Sequence, residues 1–248
     1  MKLGKRTVIW EEIAEPPKNY IWIRNNKPYE YNKNSSQWEL TSWFKEDRKS
    51  KLQDYRTNGH ECVDLGLDSK TLWAIMNVGA LNPYGFGNHF AWGEIEPKGN
   101  YYNWHKYKYG SKEELTKYNK IDNITRLELI DDAAAANWGG KWVIPSREDW
   151  EELENSCSWV WNTEENKKGW VLTGPNKNTL FLPAAGKYRS SLTNLNTNGG
   201  YWSSDLNTNI GNWTEAYGIT FNGNSHEKSS FIRAEGYSVR PVIKIATI

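Results

Sequence analysis

The chain has 248 residues, enough for one good-sized domain or for one domain with a small appendage. Its 38% hydrophobic and 25% charged content is that of a globular protein, and a net charge of +1 supplies no field to steer nucleic acid or an anionic membrane, so no nucleic-acid partner is expected. Fifteen Trp against two Met mark either a wide aromatic core or an aromatic binding surface.

At the start, Met1 to Arg6 carries charge with no apolar stretch behind it, unlike an ordinary signal peptide. No run of the sequence is long and apolar enough to span a bilayer, so membrane insertion is not expected. Next come three aromatic segments: Tyr20-Ile21-Trp22-Ile23, Tyr29-Glu30-Tyr31 and Gln37-Trp38-Glu39-Leu40. Asn-rich breaks at residues 25–28 and 32–36 separate them, which predicts a small antiparallel β meander. Such a sheet is marginal alone, so it needs the main domain, a partner or copies of itself, the last giving a homo-oligomer. Residues 43–55 are charged and read as a linker helix. The expected division is a β module with linker over residues 1–56 and a main domain over 57–248.

In the main domain, Val63-Asp64-Leu65-Gly66-Leu67 and the apolar run from Leu72 to Val78 predict strands, and residues 84–108 a Gly- and aromatic-rich loop. Asp131 and Asp132 precede four alanines, a short helix with acids at its N-terminus, stopped by Gly139-Gly140. Ser146 is a good N-cap with Asp149 three residues on, and Trp150, Leu153 and Cys157 then share one helical face. Trp170 to Thr173 and Thr179 to Leu182 flank Gly174-Pro175-Asn176-Lys177-Asn178, a hairpin signal. Further strands are expected at residues 200–204, 216–221 and 236–242, with loops dense in Asn, Ser and Thr between them. Residues 225–232 show no pattern suited to a strand core. No period of 20 to 50 residues is visible.

Three blocks carry a family resemblance. The first is Cys62-Val63-Asp64-Leu65-Gly66-Leu67 and Leu72-Trp73-Ala74, then Phe90-Ala91-Trp92-Gly93-Glu94 with Glu96-Pro97-Lys98. The second is Asp131-Asp132-Ala133-Ala134, Asn137-Trp138-Gly139-Gly140 and Trp142-Val143-Ile144-Pro145-Ser146. The third is Phe181-Leu182-Pro183-Ala184-Ala185-Gly186, Tyr201-Trp202-Ser203-Ser204 and Gly236-Tyr237-Ser238-Val239-Arg240-Pro241-Val242. Together, over about residues 58–245, they resemble the Fibrobacter-succinogenes-type major domain of gut Bacteroidetes and their phages. That family is similar to the formylglycine-generating-enzyme branch of the C-type lectin fold. The resemblance implies an α+β fold, a C-type-lectin-like domain beside the small N-terminal β meander. The chain also resembles the variable proteins of diversity-generating retroelements, which mutate adenines in a C-terminal repeat and so diversify adenine-rich Asn codons. The N-terminal segments resemble small attachment modules of phage tail proteins.

The resemblance implies a ligand-binding display protein on a phage particle or a bacterial cell surface, with a protein or carbohydrate ligand. Its candidate recognition residues are Tyr188, Ser190, Asn194, Asn196, Asn198, Asp205, Asn207, Asn209, Asn212, Trp213, Tyr217, Asn222, Asn224, His226 and Phe231. The alternatives are a formylglycine-generating-type enzyme or a structural oligomerisation module.

No catalytic residue, metal ligand or cofactor is expected. The related enzyme needs a reactive cysteine pair near its C-terminal end, and no cysteine comes after Cys157 here. Cys62 and Cys157 are read as two buried thiols in preference to one disulfide. His60, His89, His105 and His226 show no H-E-x-x-H or i, i+4 spacing. Sugar-binding relatives use Glu-Pro-Asn and Trp-Asn-Asp to hold calcium. Neither tripeptide occurs here, and Glu96-Pro97-Lys98 puts a cation where an oxygen ligand is wanted. Trp92, Trp138, Trp142, Trp150 and Trp202 are expected in the core, with Trp213 free to stack on a ligand. Arg240, inside the last strand, is expected to be buried against an acid or a backbone carbonyl.

Overall fold

The alternating apolar residues of Ile21-Trp22-Ile23 and Tyr29-Glu30-Tyr31 do form strands. The computed structural model describes residues 7–9, 21–24, 27–40, 56–164, 167–209, 211 and 213–245. The chain divides into two units, Met1–Gln53 and Asp54–Ile248. The first holds β1 (Thr7–Ile9), β2 (Ile21–Arg24), β3 (Lys27–Asn32) and β4 (Gln37–Leu40) in one sheet, in that order. β2 to β4 form the expected meander, while β1, which the sequence does not announce, adds parallel to β2. At the β3–β4 turn the Asn32 carboxamide accepts the Asn34 N–H at 2.9 Å, and Tyr31 meets its cross-strand partner Trp38 edge-on at 5.6 Å. The linker helix expected over residues 43–55 lies outside the described residues.

The second unit is rich in sheet. In chain order it runs β5 (Arg56–Thr57), β6 (His60–Asp64), β7 (Leu72–Ala74), β8 (His89–Phe90), α1 (Ala133–Trp138), β9 (Trp142–Val143) and α2 (Arg147–Ser156). Next come β10 (Ser158–Asn162), β11 (Gly169–Thr173), β12 (Thr179–Pro183), β13 (Lys187–Tyr188) and β14 (Leu192–Thr193). The chain ends with β15 (Asn198–Leu206), β16 (Glu215–Asn222), β17 (His226–Ile232), β18 (Tyr237–Ser238) and β19 (Val242–Ile243). One five-stranded sheet has the order β5-β6-β7-β19-β9, so the last strand sits between early ones. The other has the order β17-β16-β15-β18-β8, beside a β10-β11-β12 sheet and a β13-β14 hairpin. Among the described residues no helix is long and apolar enough to cross a membrane.

Local signals explain the helices. Asp132 caps α1, accepting the N–H groups of Ala134 and Ala135 at 2.8 and 3.0 Å, and Gly139 and Gly140 end it at φ +64°. Ser146 and Asp149 make a reciprocal capping box on α2, which buries Trp150 and Leu153. Residues 225–232, expected to lack strand character, instead supply the edge strand β17. Its period-2 pattern is hidden in sequence because the residues turned to α2, His226 and Lys228, pair with helix carboxylates rather than packing as apolar groups.

The five tryptophans expected inside are all buried, in two clusters. Trp92, Trp138, Trp142 and Trp202 share one with Phe231 and Tyr237, and Trp150 joins Trp73, Tyr201 and Phe221 in the other. Arg240 is completely buried, though it lies between β18 and β19, and among the described residues no acid pairs with it. It donates to backbone carbonyls, as expected, those of Ala74 (2.9 Å) and Phe181 (3.0 Å), and to the Asn77 side-chain oxygen (2.9 Å). Burial pushes its pKa down to about 10. Arg233 is a second buried arginine, held by the Tyr107 hydroxyl and the carbonyls of Tyr118, Trp213 and Lys117, with its guanidinium 5.0 Å from the Trp92 ring.

Candidate functional site

Register assigns each residue of β15 to β17 to one of two faces, because directly opposed residues in an antiparallel pair point the same way. Tyr201 pairs with Ile219, and Gly199 with Phe221, on the face that packs against α2. On that face Arg147 lies 4.2 Å from the Tyr217 ring, Lys228 pairs with Glu151 at 2.8 Å, and His226 reaches Glu154 at 3.2 Å. His226 also stacks on Trp159, with ring centroids 4.2 Å apart.

The opposite face is built differently. Asn198 pairs with Asn222, Gly200 with Thr220, and Trp202 with Gly218, which in turn faces Ser229 on β17. Gly200 and Gly218 let two rings lie flat on the strands: a Cβ at Gly200 would collide with Tyr237, and one at Gly218 with Phe231. Phe231 and Tyr237 stack at 4.2 Å and form, with Gly199 and Gly200, the floor of a cavity of about 260 Å³. Lys187, Asn194, Asn198, Thr220 and Ser229 stand around it. The loop carrying Asn194 and Asn198 is pinned by Asn196 N–H to the Ala184 carbonyl and by Gly186 N–H to the Asn198 carbonyl, both at 2.8 Å.

The charges at the rim are unequal. Arg189 is matched by Glu235 at 2.5 Å, and Glu235 also accepts the Tyr237 hydroxyl at 3.0 Å. Burial, with Glu235 next in effect, raises the pKa of that hydroxyl, so it stays a neutral donor. Among the described residues Lys187 is the one charged group lining the cavity, 5.9 Å from the Tyr237 ring centroid, and no described carboxylate pairs with it. Glu227 is exposed, directly across the strand pair from Thr220.

Of the residues expected to form the recognition surface, Asn194, Asn198 and Phe231 meet at this cavity. Phe231 is only 8% exposed and stacked on Tyr237, so it reaches the cavity as part of the core that forms its floor. Tyr188 packs against His89 and Tyr102 beside it, and Ser190 is exposed in the β13–β14 turn. Tyr217 and His226 point to the other face, against α2 and Trp159. Asp205, Asn207, Asn209 and Trp213 lie at the far end of the sheet. Asp205 is already engaged, with Arg126 at 2.6 Å and the Arg147 N–H at 2.7 Å, and Asn207 is buried. Trp213, expected to stack freely, is half-buried against the core. Asn222 and Asn224 sit at the β16–β17 tip, and Asn212 lies outside the described residues.

Several asparagines have a local reason for their identity. Asn194 and Asn196 adopt φ of +59° and +63°, where Asn is favoured over other side chains. Asn207 and Asn222 accept the N–H groups two residues on, at 3.1 and 2.7 Å, as turn caps. Asn198, Asn209 and Asn224 show no such role. Sequence reasoning misses Lys187, Thr220, Ser229 and the glycine floor. Their signal is the period-2 spacing of Gly218, Thr220 and Asn222, which becomes informative only once the register is known.

Among the described residues no group of three or more His, Cys, Asp or Glu is placed to hold a metal ion. Cys62, buried, and Cys157, half-buried, are two thiols and not a disulfide. No protein-family model, no curated protein and no solved structure matches the chain.

Proposed function

We propose that the chain is a ligand-binding display protein of C-type-lectin-like fold. In this reading the outer face of the β15–β17 sheet is a variable recognition surface of the kind that diversity-generating retroelements produce. Its setting is a phage particle or a bacterial cell surface, and the N-terminal sheet is an attachment or oligomerisation module. The observation that carries the reading is the division of labour along these strands. Tyr201, Trp202, Ser203 and Ser204 are at most 5% exposed, and Tyr237 to Val242 are also buried, while polar residues before and between these blocks surround an open cavity. A face whose amides and hydroxyls stand on an aromatic scaffold can change sequence without unfolding, and antibody paratopes use a similar mixture.

A thiol enzyme finds no support in the chemistry. Burial first, and then Asp64, pushes Cys62 up to about 11; burial and then Glu152 do the same to Cys157. Both stay protonated near neutral pH, and the thiolate is the nucleophile.

The test is the flanking DNA. A near-copy of the segment encoding residues 187–232, differing at adenines and lying beside a reverse-transcriptase gene, is the expected finding. A flanking region without either overturns the claim of variation.

A further inference from the structure

The cavity on the outer face is small and its lining is specific. At about 260 Å³ it lies just under the ~300 Å³ at which drug-sized sites begin, so it holds one compact chemical unit rather than a helix or a strand. Asn194 and Asn198 offer carboxamides, and Thr220 and Ser229 hydroxyls. The Thr220 hydroxyl donates to the Gly199 carbonyl at 3.2 Å and so offers its lone pairs, while the carboxamides and the Ser229 hydroxyl each donate and accept; together they match a ligand that does both many times over, as a polyol does. The floor of Phe231 and Tyr237 is apolar and matches a patch of C–H groups.

Charge narrows the class further. The described lining holds one ammonium, Lys187, and no carboxylate. A cationic ligand would be repelled. A phosphate monoester carries close to two negative charges, and the second cation nearby, Arg189, is already matched by Glu235 at 2.5 Å. One carboxylate is what a single unmatched ammonium balances.

We infer that the cavity ringed by Lys187, Asn194, Asn198, Thr220 and Ser229 binds a saccharide unit bearing one carboxylate, without a metal ion. Lys187 receives the carboxylate. The two carboxamides and two hydroxyls bind the ring hydroxyls, and the Phe231–Tyr237 floor takes the apolar side of the sugar. This deepens the proposed recognition role and rests on that reading of the face.

Nuclear magnetic resonance titration of the full chain tests it, with N-acetylneuraminic acid and glucuronic acid as probes and glucose and glucose 6-phosphate as contrasts, all in the presence of a chelator. At least one of the two acids is expected to move the amide signals of Gly199, Gly200 and Ser229, more strongly than either contrast. Lys187→Gln weakens that acid about tenfold, as loss of a charge-assisted hydrogen bond does. Glu227→Gln removes a like charge from the rim and strengthens it about twofold. Ser229→Tyr, on the half-buried edge strand, fills the cavity and abolishes the shifts.

No shift with either acid, an equal response to glucose, stronger binding of the phosphate, or full affinity in Lys187→Gln overturns the assignment. A retroelement found beside the gene together with silence toward both acids removes the saccharide and leaves the variable face standing. Acid binding with no retroelement does the reverse.

Discussion

Asn194 sits at φ +59°, a conformation that costs most L-residues roughly 1–2 kcal/mol and that Asn and Gly tolerate. Asn194→Val should therefore lose about 1–2 kcal/mol of stability while Asn194→Gly stays near the parent. Asn224→Val, exposed at the β16–β17 tip, should change stability by less than about 0.5 kcal/mol. Chemical denaturation of the three variants separates asparagines that the backbone requires from those it does not. Equal losses at both positions would show that the left-handed turn is not what selects Asn194.

A second residue gives the unit a pH dependence. Asp131 is buried, and burial by itself works to raise its pKa. Hydrogen bonds from Lys117 (2.6 Å), Lys108 (3.0 Å) and the Tyr118 hydroxyl (2.8 Å) outweigh that and hold the carboxyl well below its usual range. A folded-state pKa below the unfolded one stabilises the native state above the unfolded pKa, near 4, and that stability is lost as pH falls through the folded value. Asp131→Asn should cost about 2 kcal/mol at pH 7, since it takes the charged acceptor from Lys108 and the Tyr118 hydroxyl and leaves Lys117 with Glu128 alone. The gap to the parent should narrow steadily below about pH 4. A gap that stays constant from pH 7 to pH 3 would rule out the ionised network as its source.

At the scale of elements, the helix that supports the site rests on a local device. α2 holds the inner face of β15–β17 through Trp150, Arg147, Glu151 and Glu154, and its first turn is fastened by Ser146 and Asp149. Ser146→Ala should cost about 1 kcal/mol and lower Tm by roughly 2–4 °C in a unit of this size. Ser146→Asp should restore most of the loss, as seen by differential scanning calorimetry. A full loss in both would mean that packing rather than capping sets the contribution of Ser146.

The same helix shows why some of the architecture is legible in the sequence. Caps, glycine stops and the hairpin turn at residues 174–178 are written within a few positions, so α1, α2 and the β11–β12 pair can be read along the chain. Pairings such as Val242 with Trp73 and Tyr237 with Phe90 join distant segments, and no local pattern specifies them. β17 escapes a sequence reading because ion pairs with α2 occupy the positions where apolar residues are sought. The site divides in the same way. Asn194 and Asn198 stand out by composition, whereas Lys187, Thr220 and Ser229 reach the cavity only through strand register. Composition also overcounts, because Asn207 and Asn222 answer to turn geometry rather than to a ligand.

At the scale of the whole molecule, the two units differ in size. The buried residues of both hydrophobic clusters run from Cys62 to Ile243, within the second unit, and the two completely buried arginines, Arg233 and Arg240, belong to the same unit. The first unit spans Met1–Gln53, and its described strands are three to six residues long. A domain of that length buries only about 60% of the surface its unfolded chain exposes, so its margin is small. A fragment of residues 54–248 should therefore keep a single cooperative unfolding transition and the near-ultraviolet circular dichroism of an ordered tryptophan core. Residues 1–53 alone should unfold without cooperativity at low concentration, and should gain a transition that rises with concentration if copies of the sheet complete one another. Loss of the near-ultraviolet signal in the 54–248 fragment would show that the aromatic core depends on the N-terminal sheet. The recognition surface could then not be treated as the property of the second unit by itself.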